Sequence, residues 1–149
     1  MAMFETMTDT SKVEPKIEDK IEVEGFDEQS LLYNWLESLI VKFEMTGNLY
    51  SKFKITDIEK IDGGFRLKAK VWGEQFNPEK HPQKVGIKAV TYHRMEIKKE
   101  PEKVTVKFLL DLYYLIRKVI SSTKVSGTIF RFPLRVNLTN PSFFRTCKS

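Results

Sequence analysis

The segment from Val85 to Ile97 constrains the fold of this chain more than any other stretch. It reads V-G-I-K-A-V-T-Y-H-R-M-E-I, with mostly apolar residues at every second position. A period of two with one apolar face is typical of a half-buried β-strand. The pattern places His93 on that apolar face, so we expect a hydrogen-bonded core histidine there. Because the segment is long for one strand, we also expect a bulge or bend within it.

A long amphipathic helix is predicted from Asp27 to Thr46. Asp27 can accept hydrogen bonds from the first turn of the helix, and Gly47 is the expected stop. The apolar residues recur at three- and four-residue spacing, and such a stripe normally packs on a sheet. They are Leu31, Leu32, Trp35, Leu36, Leu39, Ile40 and Phe43.

Four shorter segments are also predicted to be strands, and two of them form a hairpin around Asp62-Gly63-Gly64. They are Lys16 to Glu24, Lys52 to Ile61, Phe65 to Val71 and Val104 to Leu112. In the third, Arg66, Lys68 and Lys70 point outward and are most simply a solvated face. Trp72 to Lys84 is predicted to be a polar loop, and the first ten residues resemble the end of a helix.

The net charge of +5 is distributed unevenly along the chain. Residues 113–149 contain seven Lys or Arg and no acidic residue, whereas residues 1–112 contain 18 basic and 20 acidic residues. A basic tail with aromatic residues can bind single-stranded nucleic acid by charge and stacking, but a poorly ordered extension has the same composition. One cysteine excludes a disulfide framework and suits a reducing compartment. No apolar run is long enough to span a membrane.

Few residues suggest catalysis. The two histidines and the single cysteine form no recognisable triad, and no Walker loop or zinc-binding spacing is present. His81 lies in the predicted polar loop, where a surface histidine is expected. Asp9, Asp57, Asp62 and Asp111 are too dispersed to define a metal site. A metal-dependent hydrolase is therefore a weak hypothesis, since no paired carboxylate or histidine cluster supports it.

Several of these segments together resemble the archease family. The similarity covers roughly residues 1–112 and is most specific from Trp72 to Ile97. The segments that carry it are M-T-D-T-S-K-V-E-P (Met7 to Pro15), L-L-Y-N-W-L (Leu31 to Leu36), W-G-E-Q-F-N-P-E-K-H-P (Trp72 to Pro82), K-A-V-T-Y-H-R-M-E-I (Lys88 to Ile97) and V-K-F-L-L-D-L (Val106 to Leu112). The M-T-D-T start is closer to the animal branch of the family.

The resemblance implies an α+β fold of the archease type, a mostly antiparallel sheet packed with the long helix, followed by an irregular tail. It also implies an accessory protein rather than an enzyme. Archease proteins promote guanylylation and multiple turnover of the tRNA-splicing ligase. The implied partners are the catalytic subunit of that ligase and a DEAD-box helicase of the same complex, with tRNA contacted indirectly. The implied location is cytoplasmic, nuclear or both, with no membrane partner.

The resemblance further implies a divalent metal, calcium being expected. Transferred to this chain, the ligands are Asp111 and the backbone carbonyl of Leu112. The family's other aspartate belongs to an N-terminal H-T-A-D motif that does not occur here, and Asp9 is not its equivalent. We therefore expect a domain over residues 1–112 that lacks its N-terminal strand and most of its first helix, an incomplete metal site, and a basic, poorly ordered extension over residues 113–149. Because one metal ligand is absent, we expect the accessory function to be impaired in this chain.

Three residues of the specific loop, Glu74, His81 and Lys84, are expected to contribute to the surface that binds the partner. The alternative function is a nucleic-acid-binding module that acts through the basic C-terminal tail. That alternative predicts salt-sensitive RNA binding that depends on residues 113–149.

Overall fold

The computed structural model describes residues 2–100, 103–113 and 128–132. Within them, two three-stranded antiparallel sheets have the strand orders β1-β3-β2 and β4-β5-β6. The elements in chain order are α1 (Ala2–Met7), a 3-10 turn (Thr10–Lys12), β1 (Ile17–Gly25), α2 (Glu28–Thr46), β2 (Asn48–Ile61), β3 (Gly64–Gln75), β4 (Gly86–Glu100), β5 (Lys103–Tyr113) and β6 (Thr128–Phe132). The predicted α+β class, with antiparallel sheets and one main helix, is confirmed.

Helix α2 forms where the sequence predicts it and packs mainly against β1 and β4, so that it joins the two sheets. Asp27 caps it, because its carboxylate accepts the Ser30 N–H while the Ser30 hydroxyl accepts the Asp27 N–H. Gly47 ends it with φ of 71°, a left-handed conformation that favours glycine. The apolar stripe predicted for this helix supplies the buried side chains Leu31, Trp35, Leu36, Leu39 and Ile40.

Strand β4 contains the predicted irregularity, but its effect on the facing pattern was not predicted. Thr91 pairs with Leu109, and Glu96 pairs with Lys107. Between these two pairs β4 therefore contains more residues than β5. Arg94 within this bulge has φ of 61°. The extra residues shift the inward face, and His93 is exposed. The prediction of a packed His93 was therefore wrong, because a bulge resets the alternation of the strand.

The hairpin strands are longer than predicted, and β3 includes Trp72–Gln75, which the sequence suggested was loop. Gly73 allows this extension, because a Cβ at Gly73 would lie 1.7 Å from the Leu49 carbonyl oxygen of β2. Only a residue without a side chain lets the two backbones approach so closely. The loop therefore begins after Gln75, and Glu74 is a strand residue.

The tail was predicted to be irregular, and this was wrong for one segment. Residues 128–132 form β6, which pairs antiparallel with β5 from Leu110 opposite Thr128 to Val106 opposite Phe132. The extension was predicted to begin at residue 113, but Tyr113 is the last residue of β5. Apart from Tyr113 and β6, the predicted extension lies outside the described residues. In the part of the chain that the structure describes, no helix combines the length and apolar character needed to cross a membrane.

Candidate functional site

The connection between β3 and β4, residues 76–85 (the 76–85 loop), folds over the end of the first sheet and is anchored by His81. The His81 side chain is buried, with 1% of its surface exposed. Its Nδ1 accepts the Asn77 N–H at 2.9 Å, and its Nε2 lies 3.1 Å from the Glu74 Oε1. Because a carboxylate only accepts hydrogen bonds, these two partners place the ring proton on Nε2. The predicted surface histidine was therefore wrong.

Glu74 is the centre of this arrangement and is also buried. Besides His81, it accepts hydrogen bonds from the Glu14 N–H at 2.8 Å, from Lys80 at 2.6 Å and from Lys16 at 3.3 Å. Burial disfavours the charged form, but these donors outweigh it and lower the pKa of Glu74 to about 2. Glu74 is therefore an ionised structural hub whose lone pairs are already occupied.

The same loop is tied to helix α1. The Thr8 hydroxyl donates to the Pro82 carbonyl at 3.0 Å, and the Lys84 N–H donates to the Met7 carbonyl at 3.0 Å. The Lys84 ammonium group lies 2.9 Å from the Glu5 carboxylate. Hydrogen bonds from Thr10 and Lys84 lower the pKa of Glu5 to about 2. The loop is therefore held at both ends.

A shallow cleft of about 540 Å³ opens beside this cluster. Its walls include Lys16, Glu74, Phe76, Pro78 and Lys80. Both lysines are paired with carboxylates, Lys16 with Glu14 at 2.6 Å and with Glu74, and Lys80 with both glutamates. The charges in the cleft are thus compensated, and it offers no isolated cation to an anionic ligand.

The structure separates the three residues that were assigned to a partner surface. Glu74 and His81 have buried side chains, whereas about 44% of the Lys84 side chain is exposed. Glu74 and His81 therefore act by shaping the loop, because neither side chain is free to touch a partner directly. The sequence did not reveal that Glu14, Lys16 and Lys80 converge on Glu74, since these contacts join distant segments and follow no local pattern.

Comparison with known proteins decides the family. The model of the Archease protein family (MTH1598/TM1083) matches residues 1–112. The chain belongs to the archease family. Protein archease of Sulfurisphaera tokodaii is 42% identical over 112 residues, which are 75% of this chain and 78% of that protein. Protein archease of Pyrococcus abyssi is 45% identical over 102 residues, which are 68% of this chain and 71% of that protein.

A solved archease-type structure agrees with the fold. The solution structure of Protein 1598 of Methanobacterium thermoautotrophicum is 43% identical, with a TM-score of 0.58 over 67% of this chain and 70% of that chain. The archease family consists of cofactors of RNA ligases, so the coarse prediction of an RNA-ligase accessory protein is confirmed.

The metal ligands implied by the archease resemblance lie at the end of β5. Asp111 is exposed and pairs across the sheet with Ala89, and Leu112 pairs with Ile87. Calcium takes six to eight oxygen ligands. The two residues offer one carboxylate and one carbonyl, and the described residues contain no group of three or more His, Cys, Asp or Glu that could hold a metal ion. These residues therefore do not fit a metal centre by themselves.

Proposed function

We propose that this archease-family protein is an accessory factor of the tRNA-splicing ligase and promotes guanylylation and multiple turnover of that enzyme. The observation that carries the proposal is the family match over residues 1–112. This range contains the whole 76–85 loop and the β4 strand that follows it. The partner is the catalytic subunit of the ligase, and a DEAD-box helicase of the same complex is a second partner. tRNA is reached through the ligase, in the cytoplasm or nucleus.

We infer that the protein acts by binding rather than by catalysis. The most tightly held polar residues, Glu74 and His81, are fully engaged with each other and with neighbouring donors. A general base or acid must reach the substrate with a free lone pair or proton. These side chains instead hold the 76–85 loop in one shape, and that loop presents Lys84 to a partner.

The test is a ligation assay with the cognate ligase at a low concentration, an excess of broken tRNA and GTP. We expect this protein to increase the number of joined tRNA molecules per ligase molecule and the fraction of guanylylated ligase. The protein alone should join nothing. An unchanged yield per ligase would contradict the proposed function, and ligation without the ligase would contradict the accessory role.

A pair of matched variants tests the loop surface. Lys84→Glu reverses the exposed charge of the loop, and Lys60→Glu makes the same charge change at the far end of β2. We expect Lys84→Glu to lower the stimulation of the ligase by at least about tenfold, because like charges across an interface cost several kcal/mol and about 1.4 kcal/mol corresponds to a tenfold change. Lys60→Glu should stimulate normally. Normal stimulation by Lys84→Glu would place the partner surface elsewhere, and equal loss in both variants would show an effect of overall charge.

Calcium binding remains a separate prediction of the resemblance. Calorimetric titration with Ca²⁺, repeated with Asp111→Asn, measures it directly. Heat of binding that disappears in Asp111→Asn would support a site at the end of β5, completed by ligands beyond those described. No heat of binding at millimolar Ca²⁺ would remove calcium from the proposal while leaving the role of ligase accessory protein unaffected.

A further inference from the structure

The outer face of the first sheet has two halves of opposite charge. The strand register aligns side chains in rows of three across β1, β3 and β2. One half contains the rows Glu24–Arg66–Glu59 and Glu22–Lys68–Asp57, and the other contains the rows Lys20–Lys70–Lys54 and Glu18–Trp72–Lys52. The first half has two cations and four carboxylates, whereas the second has four lysines and one carboxylate. We call the second half the lysine–tryptophan face.

The cations of the acidic half are satisfied by their neighbours. Arg66 lies 2.6 Å from Glu24 and 3.4 Å from Glu59, and Lys68 lies 2.9 Å from Glu59. The Glu59 carboxylate is held ionised, because Lys68 and Arg66 lower its pKa. This half is the solvated, charge-paired surface that the sequence suggested for Arg66 and Lys68.

The lysine–tryptophan face is not satisfied in this way. Lys70 pairs with Glu18 at 2.7 Å, and Lys20 contributes less to lowering the pKa of this carboxylate, the only one of this half. Lys20 and Lys54 are exposed and form no ion pair with any residue in the described part of the chain. Both stand directly opposite Lys70 in the register. Like charges directly opposite each other destabilise a sheet, so the row has an electrostatic cost that a bound anion would relieve.

Trp72 adds an aromatic surface to this positive charge. Its indole N–H donates to Glu18 at 2.9 Å, and the Lys52 ammonium group lies 5.0 Å from the centre of its ring. The ring is partly exposed on the outer face. The Lys52 side chain is exposed, so its ammonium group can leave the ring and bind a phosphate while a base occupies its place.

We propose that the lysine–tryptophan face binds single-stranded nucleic acid, with the lysines contacting phosphates and Trp72 stacking on a base. Adjacent strands lie about 4.8 Å apart, so the row of three lysines spans roughly 10 Å across the sheet. An open sheet face with basic and aromatic side chains is a known way to bind unpaired bases. An acidic protein surface would be attracted by the same lysines, but it would leave the partly exposed indole ring without a stacking partner.

This inference does not depend on the proposed role in ligation, and it differs from binding through the basic tail. The test uses the full chain and a fluorescent single-stranded oligouridylate, without ligase, in anisotropy titrations at several salt concentrations. The double variant Lys20→Ala/Lys54→Ala removes the two unpaired lysines. Two controls remove the same charge elsewhere: Lys60→Ala/Lys98→Ala in other exposed positions of the sheets and Lys124→Ala/Lys148→Ala in the tail.

We expect the double variant on the sheet to weaken binding roughly tenfold or more at low salt. It should also reduce the slope of log K against log salt by about 1.4, because each of the two lost phosphate contacts contributes about 0.7 for single strands. Both controls should keep most of the affinity and the slope. Equal weakening in all three variants would show binding by overall charge, and weakening in the tail variant alone would assign binding to the tail. Either result would overturn the proposal, as would absence of binding.

A second measurement tests the stacking role of Trp72. The chain has two tryptophans, and Trp35 is buried, so RNA should quench the emission of Trp72 alone. Trp72→Phe should lose the quenching but bind with similar affinity, whereas Trp72→Ala should bind at least about fivefold more weakly. RNA binding that leaves the tryptophan emission of the natural chain unchanged would contradict stacking. Circular dichroism of each variant checks that the sheet is intact.

Discussion

His81 and His93 show how differently two histidines can be treated within one domain. His81 is enclosed by the 76–85 loop, and both of its ring nitrogens have partners, the Asn77 N–H and the Glu74 carboxylate. His93 stands on the bulge of β4, exposed to solvent beside Arg94, whose backbone is left-handed. The His81 ring supports the structure of the loop, and the His93 ring is exposed to solvent.

Hydrogen-bond partners decide whether a polar ring can be buried. Burying a polar group without partners costs several kcal/mol. A neutral histidine is therefore stable in the interior only where one ring nitrogen has a hydrogen-bond donor as its partner and the other has an acceptor. For His81 the donor is the Asn77 N–H of the 76–85 loop, and the acceptor is the Glu74 carboxylate of β3. The bulge of β4 turns His93 outward, where water satisfies the ring.

The largest expected effect comes from removing the acceptor that holds His81. Glu74→Ala should lower the free energy of unfolding by about 2 to 4 kcal/mol, because the Glu14 N–H and the His81 Nε2–H lose their acceptor in a buried place. Urea titration monitored by circular dichroism measures this. Glu79→Ala, an exposed glutamate of the same loop, is the control and should change stability by less than about 0.5 kcal/mol. Similar losses in both variants would contradict the hub role of Glu74.

The histidine comparison itself is tested by paired alanine variants. His81→Ala should cost about 2 to 3 kcal/mol, because it leaves the Asn77 N–H unpaired and opens a cavity beside Phe76. His93→Ala should change the free energy of unfolding by less than about 0.5 kcal/mol, as exposed substitutions usually do. Urea titrations of the two variants under one condition measure the difference. If His93→Ala destabilised the protein as much as His81→Ala, the two environments would not differ as described.

Acid should weaken the loop through the carboxylates that hold it. The pKa of Glu74 is lowered from its ordinary value of 4.5 to about 2 in the folded protein. A lowered pKa means that the folded state favours the charged form, so this stabilisation is complete above about pH 5.5 and is lost as the pH falls towards 2. Glu5 acts in the same direction and pH range.

Unfolding experiments between pH 6 and pH 2.5 measure this dependence. Glu74→Gln should show a shallower loss of stability with acid than the natural chain, because glutamine has no proton to gain in this range. The control is Glu79→Gln, which should keep the steep profile. Parallel profiles for the natural chain and Glu74→Gln would show that another group causes the acid sensitivity.

The smallest effect is expected on the bulge. Arg94 has φ of 61°, a region that costs a residue with a side chain roughly 1 kcal/mol relative to glycine. Arg94→Gly should therefore leave the free energy of unfolding unchanged or raise it by up to about 1 kcal/mol, measured by urea titration. Arg94→Ala removes the same guanidinium but keeps the strain, and serves as the control. A loss above 1 kcal/mol in Arg94→Gly alone would mean that the left-handed backbone at this position is not strained.

Much of the fold could be predicted from local patterns. The helix from Glu28 to Thr46 carries its own start and stop signals, Asp27 and Gly47, and its apolar stripe is buried. Strand β5 alternates as predicted, with Val104, Val106, Phe108 and Leu110 inside. These signals are short in range and need no knowledge of the partner element. The resemblance to the archease family, most specific in residues 72–97, was likewise recognisable from the amino-acid sequence.

The candidate site could be predicted only in part. The resemblance drew attention to Glu74, His81 and Lys84, but not to their environments, because burial of the loop depends on donors that come from Glu14 and Lys16 near the start of the chain. The exposure of His93 depends on the extra residues that β4 carries relative to β5. A period-two pattern has no means of showing where an unpaired residue interrupts the ladder.

Periodicity, caps and the residues of one segment were enough to predict the class of fold, the main helix, strands β1 to β5 and the resemblance to the archease family, but not β6. The tertiary structure alone decided that Glu74 and His81 are internal and that Lys20, Lys70 and Lys54 form one row. The first depends on contacts of Glu74 with Glu14 and Lys16. The second depends on the register of β3 with two neighbours that are distant in the chain. Shifting the register of one strand by one residue would move its lysines to the opposite face.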